Sequence, residues 1–254
     1  MKIELFDDGA VICGDCTTQE VYDAACDITG LVPLIMTDPP YGNIVNEKWD
    51  KTKLTDDQFA KWMLDWTKLW SGVLHPNAAF YVWGGLGLVG FRPFIKYLSK
   101  VEDLEGINIA NLITWSKKRA YGIQHNYLFT REECVYLFKG DNIKKPRCFN
   151  VPLLDVKRGY AGYNKKYPAK SEYKRRTNVW TDITEIMRGK KHETQKAQRL
   201  YEIAIEVHTQ KDEYVIDMFA GAGTCAHAAR KLGRKFLVIE RDQDMFDDIV
   251  KSLR

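Results

Sequence analysis

No run of apolar residues in this chain approaches the roughly 20 that a membrane-spanning helix needs. The opening stretch, MKIELFDDGA, contains acids and lacks the apolar core of an export signal. We therefore expect neither membrane insertion nor secretion, and predict a cytoplasmic protein. With 254 residues, 45% of them apolar, the chain suits one large α/β domain or one domain with a modest insertion.

Paired cysteines are also scarce. Of six cysteines, only Cys13 and Cys16 form a C-x-x-C pair, and no second pair accompanies them. A zinc site needs about four ligands at suitable spacing. We therefore expect reduced cysteines and no bound metal, and a zinc or redox role for the single pair is the less favoured alternative.

Acidic residues are few in one long stretch. Between Lys139 and Arg199 there are 17 Lys and Arg residues against 6 Asp and Glu, whereas the rest of the chain has 21 against 28. Such an asymmetry indicates an anionic partner on one face of the molecule. A merely solvated basic loop is the alternative interpretation.

Apolar periodicity predicts alternating strands and helices. Thr55, with Gln58 three residues later, is predicted to cap a helix whose apolar stripe runs from Phe59 to Trp70 and which ends at Gly72. Further helices are predicted over 192–207 and before Gly233. The strands are predicted at AVIC, LVPLIMTD, AAFYVW, IANLITW, ECVYLFKG, EYVIDMF and RKFLVIE, with residues 116–132 as a long polar connection.

The clearest local pattern near the end of the chain is a glycine loop between a strand and a helix. The strand ends at Asp217, the loop reads FAGAGT, and the next strand ends at Glu240. Glycines permit a tight turn and close approach of a ligand, and the helix N-terminus offers free N–H groups. A terminal acid about 20 residues after the glycines suits two ribose hydroxyls. The pattern predicts a nucleoside cofactor, and NAD stays open because Ala226 at the third glycine position is sometimes permitted.

A second pattern, LIMTDPPYGN, ends an apolar strand on Asp38, Pro39, Pro40 and Tyr41. The residue before a proline is held extended, and each proline has φ fixed at about −65°. The acid and the following carbonyl are therefore preorganised. A plain strand-ending turn is the alternative, since Asp and Pro favour turns.

Taken together, TDPPYG and FAGAGT resemble the S-adenosylmethionine-dependent amino-methyltransferases of DNA. The order of the two motifs, with the basic stretch between them, resembles the beta class, which is circularly permuted relative to other members. The resemblance extends over Gly14-Asp15, 38–41, 133–140 and 192–240. Two departures are Ala222 and Cys225 in the glycine loop, and HETQKA at 192–197 in place of the family's HPTQKP.

The resemblance implies an α/β, Rossmann-like methyltransferase fold with a mostly parallel sheet, a circularly permuted motif order and a small basic insertion. Residues 1–140 would form the catalytic half, 141–190 a target-recognition insertion, and 191–254 the cofactor-binding half. Double-stranded DNA is the implied partner and S-adenosyl-L-methionine the implied cofactor. The resemblance favours a homodimer and leaves open whether a cognate restriction endonuclease accompanies the protein.

The glycine-loop pattern and the resemblance together give the expected cofactor-binding residues. The resemblance places Thr194 and Lys196 near the methionine carboxylate of the cofactor, and Asp15 near its adenine ring. The full set is Asp15, Thr194, Lys196, Asp217, Phe219, Ala220, Gly221, Gly223, Thr224 and Glu240.

The chemistry explains why a strand should end on Asp38-Pro39-Pro40-Tyr41. An exocyclic amine of a base is a poor nucleophile because its lone pair is delocalised into the ring. The Asp38 carboxylate and the Pro39 carbonyl would accept from its two N–H bonds and aim the lone pair. Tyr41 would offer its ring, rather than its hydroxyl, for stacking of a base extruded from the duplex. No metal or covalent intermediate is required.

Within the family resembled here, an Asp before Pro-Pro is usual for adenine and a Ser is commoner for cytosine. We therefore predict methylation of the N6 amine of adenine in DNA. The alternatives are cytosine N4 methylation, methylation of an amine in RNA or protein, and a nucleic-acid binding subunit without turnover.

The basic stretch is most concentrated in residues 144–176, which hold 11 Lys and Arg residues and 2 acids, with tyrosines interleaved. Weak periodicity predicts loops and a hairpin, and the composition predicts contact with the DNA backbone. The expected DNA-binding residues are Lys157, Arg158, Lys165, Lys166, Lys174, Arg175 and Arg176.

Overall fold

A computed structural model describes residues 1–41, 54–85, 90–122, 124–159, 171–186 and 195–254. The strands are β1 (Lys2–Phe6), β2 (Gly9–Cys13), β3 (Val32–Thr37), β4 (Leu74–Gly84), β5 (Ile107–Tyr121), β6 (Phe129–Lys139), β7 (Leu153–Lys157), β8 (Tyr173–Arg175), β9 (Val179–Trp180), β10 (Tyr214–Asp217) and β11 (Lys235–Glu240). The helices are α1 (Gln19–Thr29), α2 (Asp56–Ser71), α3 (Phe91–Leu98), α4 (Gln198–His208), α5 (Thr224–Lys231) and α6 (Gln243–Leu253).

Nine strands form one mixed sheet in the order β1-β2-β11-β10-β3-β4-β6-β5-β9. Five of the eight neighbouring pairs are parallel and three are antiparallel. Parallel neighbours need crossover connections, and helices supply most of them here. The α/β class and the mostly parallel sheet predicted from the sequence are confirmed.

The order of the strands brings the two sequence motifs together. β10, which leads into the glycine loop, pairs in parallel with β3, which leads into Asp38: Val215 lies opposite Leu34 and Ile216 opposite Ile35. The two strands are distant in sequence but adjacent in the middle of the sheet. The two motifs therefore meet at one place in the sheet although the Asp-Pro-Pro-Tyr motif precedes the glycine loop in the chain.

Helices cover both faces of the sheet, so the central strands are buried on two sides. Every residue of β3 is buried, as expected of a parallel strand. Leu34 and Met36 face the layer of α4, α5 and α6, whereas Ile35 faces the layer of α1, α2 and α3. The apolar run in the sequence without alternation reflects this two-sided burial.

Helix α2 forms as predicted. The Thr55 side chain accepts from the backbone N–H of Gln58, and the Gln58 side chain accepts from the backbone of Thr55, which completes a capping box. Gly72 caps the other end. The buried part of its apolar stripe consists of Phe59, Met63, Trp66 and Trp70.

Two sequence expectations about element bounds are wrong. Residues 116–132 are largely strand rather than a long connection, because β5 continues to Tyr121 and β6 begins at Phe129. The two strands satisfy each other's backbone groups, so they need no apolar pattern to persist. The helix predicted from His192 instead begins at Gln198, after Ala197 in an extended conformation, and residues 192–194 lie outside the described residues.

The basic stretch contains the expected hairpin-like pair, since β7 and β8 are antiparallel. The following strand, β9, returns to the main sheet and pairs with β5. The domain boundaries at 141 and 190 stay a prediction.

Candidate active site and cofactor-binding edge

The carboxyl ends of β2, β3, β4, β10 and β11 lie at one edge of the sheet because these strands run in parallel. In open α/β sheets, ligands bind in the crevice beyond this edge. Here β3 ends just before Asp38, β10 ends at Asp217 and β11 ends at Glu240. The acids singled out in the sequence are therefore brought to one edge.

A buried hydrogen bond joins the two motifs. The Thr37 hydroxyl donates to Asp217 Oδ1 over 2.8 Å, and Thr37 also accepts from the backbone N–H of Met218 at 3.3 Å. Thr37 and Asp217 are fully buried. The ends of β3 and β10 are thus fixed relative to each other, and so are the segments that follow them.

Asp38 lies in a compact cluster with Tyr41 and Lys196. The Tyr41 hydroxyl donates to Asp38 Oδ1 at 2.7 Å, and Lys196 Nζ donates to Asp38 Oδ2 at 2.6 Å. Lys196 Nζ also donates to the Tyr41 hydroxyl at 2.7 Å. The Tyr41 ring lies against Gly85, where an added Cβ would be 2.8 Å from Tyr41 Cδ2. The structure therefore gives the Tyr41 hydroxyl a polar role that sequence reasoning did not foresee.

Glu132 is a member of this cluster that sequence reasoning missed. Its Oε2 lies 3.0 Å from Lys196 Nζ, and its other oxygen pairs with Lys117, which in turn lies 3.9 Å from Glu185. Two successive acids at the start of an apolar strand, Glu132 and Glu133, were the available signal. An acid entering a buried strand needs a specific partner.

Each charged group in the cluster shifts the pKa of its neighbours. Burial would lower the pKa of the Lys196 ammonium, but Asp38 and Glu132 raise it. Burial would raise the pKa of Glu132, but Lys196 and Lys117 lower it. For Asp38, burial and then the charge of Glu132 raise the pKa, against the opposing effect of Lys196. Lys196 is thus a buried cation held between two carboxylates.

The glycine loop has the geometry that only glycine adopts readily. Gly221 and Gly223 have φ of +51° and +74°. A Cβ on Gly221 would meet nothing within 4 Å, so the space above it is open to a ligand, whereas one on Gly223 would lie 3.1 Å from Ile249. Helix α5 begins immediately afterwards at Thr224.

Glu240 is fixed beside this loop by backbone donors. Its Oε2 accepts from Gly221 N at 2.8 Å and its Oε1 from Asp242 N at 2.9 Å. The carboxylate has about four acceptor sites and meets backbone donors of Gly221, Asp242 and Arg241, so it retains capacity for a hydroxyl donor. Gly14 N donates to the Glu240 carbonyl at 3.0 Å, which brings the Gly14-Asp15 turn next to the same site.

Asp217 has an unpartnered oxygen. Oδ1 accepts from Thr37 and from Phe219 N at 3.1 Å, but the buried Oδ2 has no hydrogen-bond partner within the described residues. Burial above all raises the pKa of this carboxyl to about 7. A buried carboxylate oxygen without a donor suits a cationic group, and the methionine ammonium of S-adenosylmethionine is one. Together with the open loop and Glu240, the residues present fit that cofactor.

The remaining expected cofactor residues differ in their placement. The Phe219 ring packs against Trp62 and Trp66, with ring centroids 5.7 and 5.5 Å away. Ala220 N donates to the Ile239 carbonyl, and Asp15 Oδ1 accepts from Thr17 N and Oγ1. Lys196 turns toward Asp38, as described above. Thr194 lies outside the described residues.

The expected DNA-binding residues also divide into groups. Arg176 makes two hydrogen bonds to Asp182, at 2.6 and 2.8 Å, and its side chain is only 6% exposed. Lys174 and Arg175 are exposed, and the Arg175 guanidinium lies over the Phe149 ring at 5.6 Å. Lys157 pairs with Glu172, and Arg158 donates to the Tyr173 carbonyl. Lys165 and Lys166 lie outside the described residues.

A two-stranded ribbon projects from the edge that carries Asp38. β4 pairs with β6 only as far as Glu133, and β9 pairs with β5 only as far as Trp115. From Ser116 to Arg131, β5 and β6 pair with no third strand in the described part of the chain. This ribbon has four Lys and Arg residues and no acid, and at its tip Tyr127 is 92% exposed.

An open, mostly parallel sheet that holds a glycine loop, a ribose-type acid and an Asp-Pro-Pro-Tyr turn at one edge defines a Rossmann-like methyltransferase. The chain belongs to the N6/N4 methyltransferase family, because the family model described as DNA methylase matches residues 32–251.

The chain is similar to a bacterial methyltransferase and to two solved structures. It is 29% identical over 239 residues to the type II methyltransferase M2.LlaDCHI of Lactococcus lactis subsp. cremoris, which covers 87% of this chain and 81% of the relative. The PvuII DNA methyltransferase, described as cytosine-N4-specific, matches with a TM-score of 0.70, 17% identity and coverage of 96% of this chain and 86% of that one. The M1.HpyAVI–SAM complex matches with a TM-score of 0.62, 22% identity and coverage of 95% and 98%.

Among the described helices, none has the length and apolar character needed to cross a membrane.

Proposed function

We propose that this DNA methylase transfers a methyl group from S-adenosyl-L-methionine to the exocyclic N6 amine of adenine, with the target base turned out of the duplex. The observation that carries the proposal is the hydrogen bond from Thr37 to Asp217. Because it fixes the strand end before Asp38 against the strand end before the glycine loop, it would hold the proposed amine site beside the cofactor site.

The cofactor is S-adenosyl-L-methionine, and its sulfonium supplies the activated methyl group. Asp217 Oδ2 would accept from the ammonium of its methionine part, since that oxygen is buried without a partner. Glu240 would accept from the ribose hydroxyls while Gly221 N holds the carboxylate in place. The open space over Gly221 admits the cofactor close to the backbone.

Asp38 would hold and orient the target amine. Each of its oxygens already accepts one hydrogen bond, Oδ1 from Tyr41 and Oδ2 from Lys196. A carboxylate oxygen offers a second lone pair, so Asp38 can accept from the amine as well. Together with the Pro39 carbonyl, it would localise the nitrogen lone pair and aim it at the methyl group. Alignment of this kind is worth an effective molarity of about 10⁵–10⁸ M.

The choice of adenine over cytosine rests on Asp38. The fold does not decide between adenine and cytosine, because the PvuII methyltransferase, described as cytosine-N4-specific, shares it. Asp before Pro-Pro is the usual residue in adenine-specific members of the family resembled, and a charged acceptor makes a stronger hydrogen bond than a hydroxyl. Cytosine N4 methylation is the second candidate, since the same acceptors suit either amine.

The DNA would lie across the carboxyl edge. An extruded base needs the duplex close to Tyr41, and the basic ribbon of residues 116–131 projects beyond that edge. Lys174 and Arg175, two exposed cations of the basic stretch, would also attract the DNA phosphates electrostatically. Target-base extrusion is required because the amine of a paired adenine is inaccessible.

Nucleoside mass spectrometry tests the proposal. The protein is expressed in a host without DNA methylation, and its genomic DNA is digested and analysed. N6-methyladenine is the expected product, with Asp38→Ala as the inactive control. N4-methylcytosine as the main product would overturn the adenine assignment, and unmodified DNA would overturn the proposed activity.

A further inference from the structure

We propose that Glu132 is a positioning residue for methyl transfer, which holds Lys196 against Asp38 and Tyr41 so that the Asp38 carboxylate faces the target amine in one orientation. The inference rests on the proposed function. It assigns a role to Glu132, and it gives Lys196 a different role from the cofactor contact expected from the sequence.

Three oxygens of the cluster surround the Lys196 ammonium. Lys196 Nζ donates to Asp38 Oδ2 at 2.6 Å and to the Tyr41 hydroxyl at 2.7 Å, and it forms an ion pair with Glu132 Oε2 at 3.0 Å. An ammonium group has three N–H donors, so two of them are used on Asp38 and Tyr41 and the ion pair with Glu132 occupies a third side of the group.

Both charged groups of this ion pair are largely buried. The Lys196 side chain is 4% exposed and that of Glu132 is 16% exposed. Taking charges out of water is costly, and removing one partner of a buried pair leaves an uncompensated charge. Because Glu132 supplies a second negative charge from β6, Lys196 can remain between the two carboxylates.

Glu132 is itself anchored by further contacts. Its carboxylate also pairs with Lys117 of β5, and Lys117 lies 3.9 Å from Glu185, which follows β9. Glu132 is thus fixed by a sheet strand and by a second cation. A group held on a strand and by neighbouring contacts can position another side chain within the tolerance that catalysis demands.

The experiment compares Glu132→Gln and Lys196→Met with a matched control, Glu133→Gln. Glu133 is the next residue on β6, is 3% exposed and accepts from the Thr114 hydroxyl at 2.6 Å, but points to the opposite face of the sheet. Methyl transfer from radiolabelled S-adenosylmethionine to unmethylated genomic DNA gives kcat and KM, and calorimetry gives the cofactor affinity.

Glu132→Gln and Lys196→Met are each expected to lower kcat by about 10²-fold, the cost of roughly a 1 Å misplacement of reacting groups. Cofactor affinity should change less than twofold, and Glu133→Gln should keep the wild-type rate. The double variant should be no slower than either single variant, because Glu132 acts through Lys196.

A pH profile separates this role from a merely structural one. The titratable groups around the Asp38 carboxyl are Tyr41, Lys196 and Tyr201, Glu132 and Cys134 on β6, and Asp217 on β10. Removing the Lys196 charge makes Asp38 easier to protonate. In Lys196→Met, the loss of kcat on the acidic side of the pH profile should therefore occur at higher pH than in the wild type. Lys196→Arg keeps the charge, so its pH profile should lie close to that of the wild type.

The outcomes are distinct. If Lys196→Met binds the cofactor tenfold more weakly but has normal kcat at saturating cofactor, then Lys196 is a cofactor-binding residue and the inference is overturned. A Glu132→Gln variant as active as Glu133→Gln would also overturn it. If Glu132→Gln melts at a much lower temperature, the pH profiles of Lys196→Met and Lys196→Arg decide the question. A wild-type protein that does not methylate DNA would overturn the proposed function and this inference together.

Discussion

At the scale of single residues, Asp38 and Asp217 have the same side chain at the ends of neighbouring strands, but their surroundings differ. Asp38 has Lys196 at 2.6 Å. Asp217 is fully buried, and in the described residues only its Oδ1 has hydrogen-bond partners. One carboxyl is therefore held by a charged partner of the protein, and the other has a buried oxygen that the proposed cofactor would satisfy.

The Asp217→Asn variant should bind S-adenosylmethionine at least tenfold more weakly and be more stable than the wild type. Burial raises the pKa of Asp217 from 3.8 to about 7. Between about pH 4 and pH 7, this carboxyl is therefore protonated in the folded protein and ionised in the unfolded chain. Its ionisation therefore destabilises the fold as the pH rises from about 4 to 7, by roughly 4 kcal/mol for three pKa units.

Urea unfolding across this pH range, together with calorimetry of cofactor binding, checks this prediction. The stability advantage of Asp217→Asn should be absent near pH 3.5 and should grow up to pH 7. Unchanged cofactor affinity in this variant would show that Asp217 does not bind the cofactor.

Tyr41 shows what a residue type alone does not reveal. Its position after Asp-Pro-Pro predicts an exposed ring for stacking, but the hydroxyl contacts Asp38 and Lys196 at 2.7 Å each. Lys196 comes from a segment 155 residues away in sequence. No local pattern could show that such a partner would be present, since only the tertiary fold brings the two together.

The Tyr41→Phe variant should therefore lower kcat by about tenfold, because a hydrogen bond to a charged group contributes roughly 1.5–3 kcal/mol and part of it is lost in both ground and transition states. Its DNA affinity should stay unchanged, since the ring remains. Tyr41→Ala should lose base stacking as well, about 1–3 kcal/mol. Steady-state kinetics and DNA titration of both variants make the comparison, and full activity of Tyr41→Phe would show that the hydroxyl contact is dispensable.

At the scale of secondary-structure elements, the sequence predicts best those elements whose burial produces a pattern. Strands β3, β10 and β11 are continuous apolar runs buried on both faces, and α2 has both a capping box and an apolar stripe. Beyond Ser116, the ribbon of β5 and β6 carries exposed polar residues such as Lys118, Arg119 and Thr130. Its backbone pairing leaves no trace in side-chain composition, so the sequence predicts a connection there.

The ribbon of residues 116–131 should contribute to DNA binding. Lys118 and Arg119 are exposed on it, and the segment contains no acid. Each lost phosphate contact lowers the slope of log K against log salt by about 0.9, so Lys118→Ala/Arg119→Ala should lower it by about 2. Fluorescence titration of duplex DNA at several salt concentrations measures the slope.

The matched control for the ribbon is Lys61→Ala/Lys68→Ala, which removes two exposed cations from α2 and changes the net charge equally. If the ribbon variant and this control give the same slope, the ribbon contributes only through net charge, and a contact with phosphates is excluded.

At the scale of the whole molecule, the basic stretch contains cations in two different environments. The formal net charge is only +4, while the stretch from Lys139 to Arg199 has 17 basic residues against 6 acids. Composition treats these cations alike. The structure separates them, because Arg176 is buried with both ends of its guanidinium on Asp182, whereas Lys174 and Arg175 are exposed.

Arg176→Ala should therefore lower stability but not DNA binding, whereas Lys174→Ala/Arg175→Ala should weaken DNA binding but not stability. Loss of Arg176 leaves the Asp182 carboxylate without its partner. Asp182 follows β9 and precedes Ile183, whose carbonyl accepts from Trp115 Nε1 at 3.0 Å. Because the Asp182 side chain is 48% exposed and can regain water, this region of the sheet should be destabilised by about 0.5–1.5 kcal/mol, the net value of a typical hydrogen bond. The salt dependence of DNA binding by Arg176→Ala should be unchanged.

Lys174→Ala/Arg175→Ala should keep the unfolding free energy within about 0.5 kcal/mol of the wild type, as is usual for surface substitutions. It should lower the slope of log K against log salt by about 2. Urea unfolding and salt-dependent titration of both variants provide the two measurements. A lower slope in Arg176→Ala with normal stability would mean that this guanidinium leaves Asp182 to bind phosphate, and the division between structural and DNA-facing cations would be wrong.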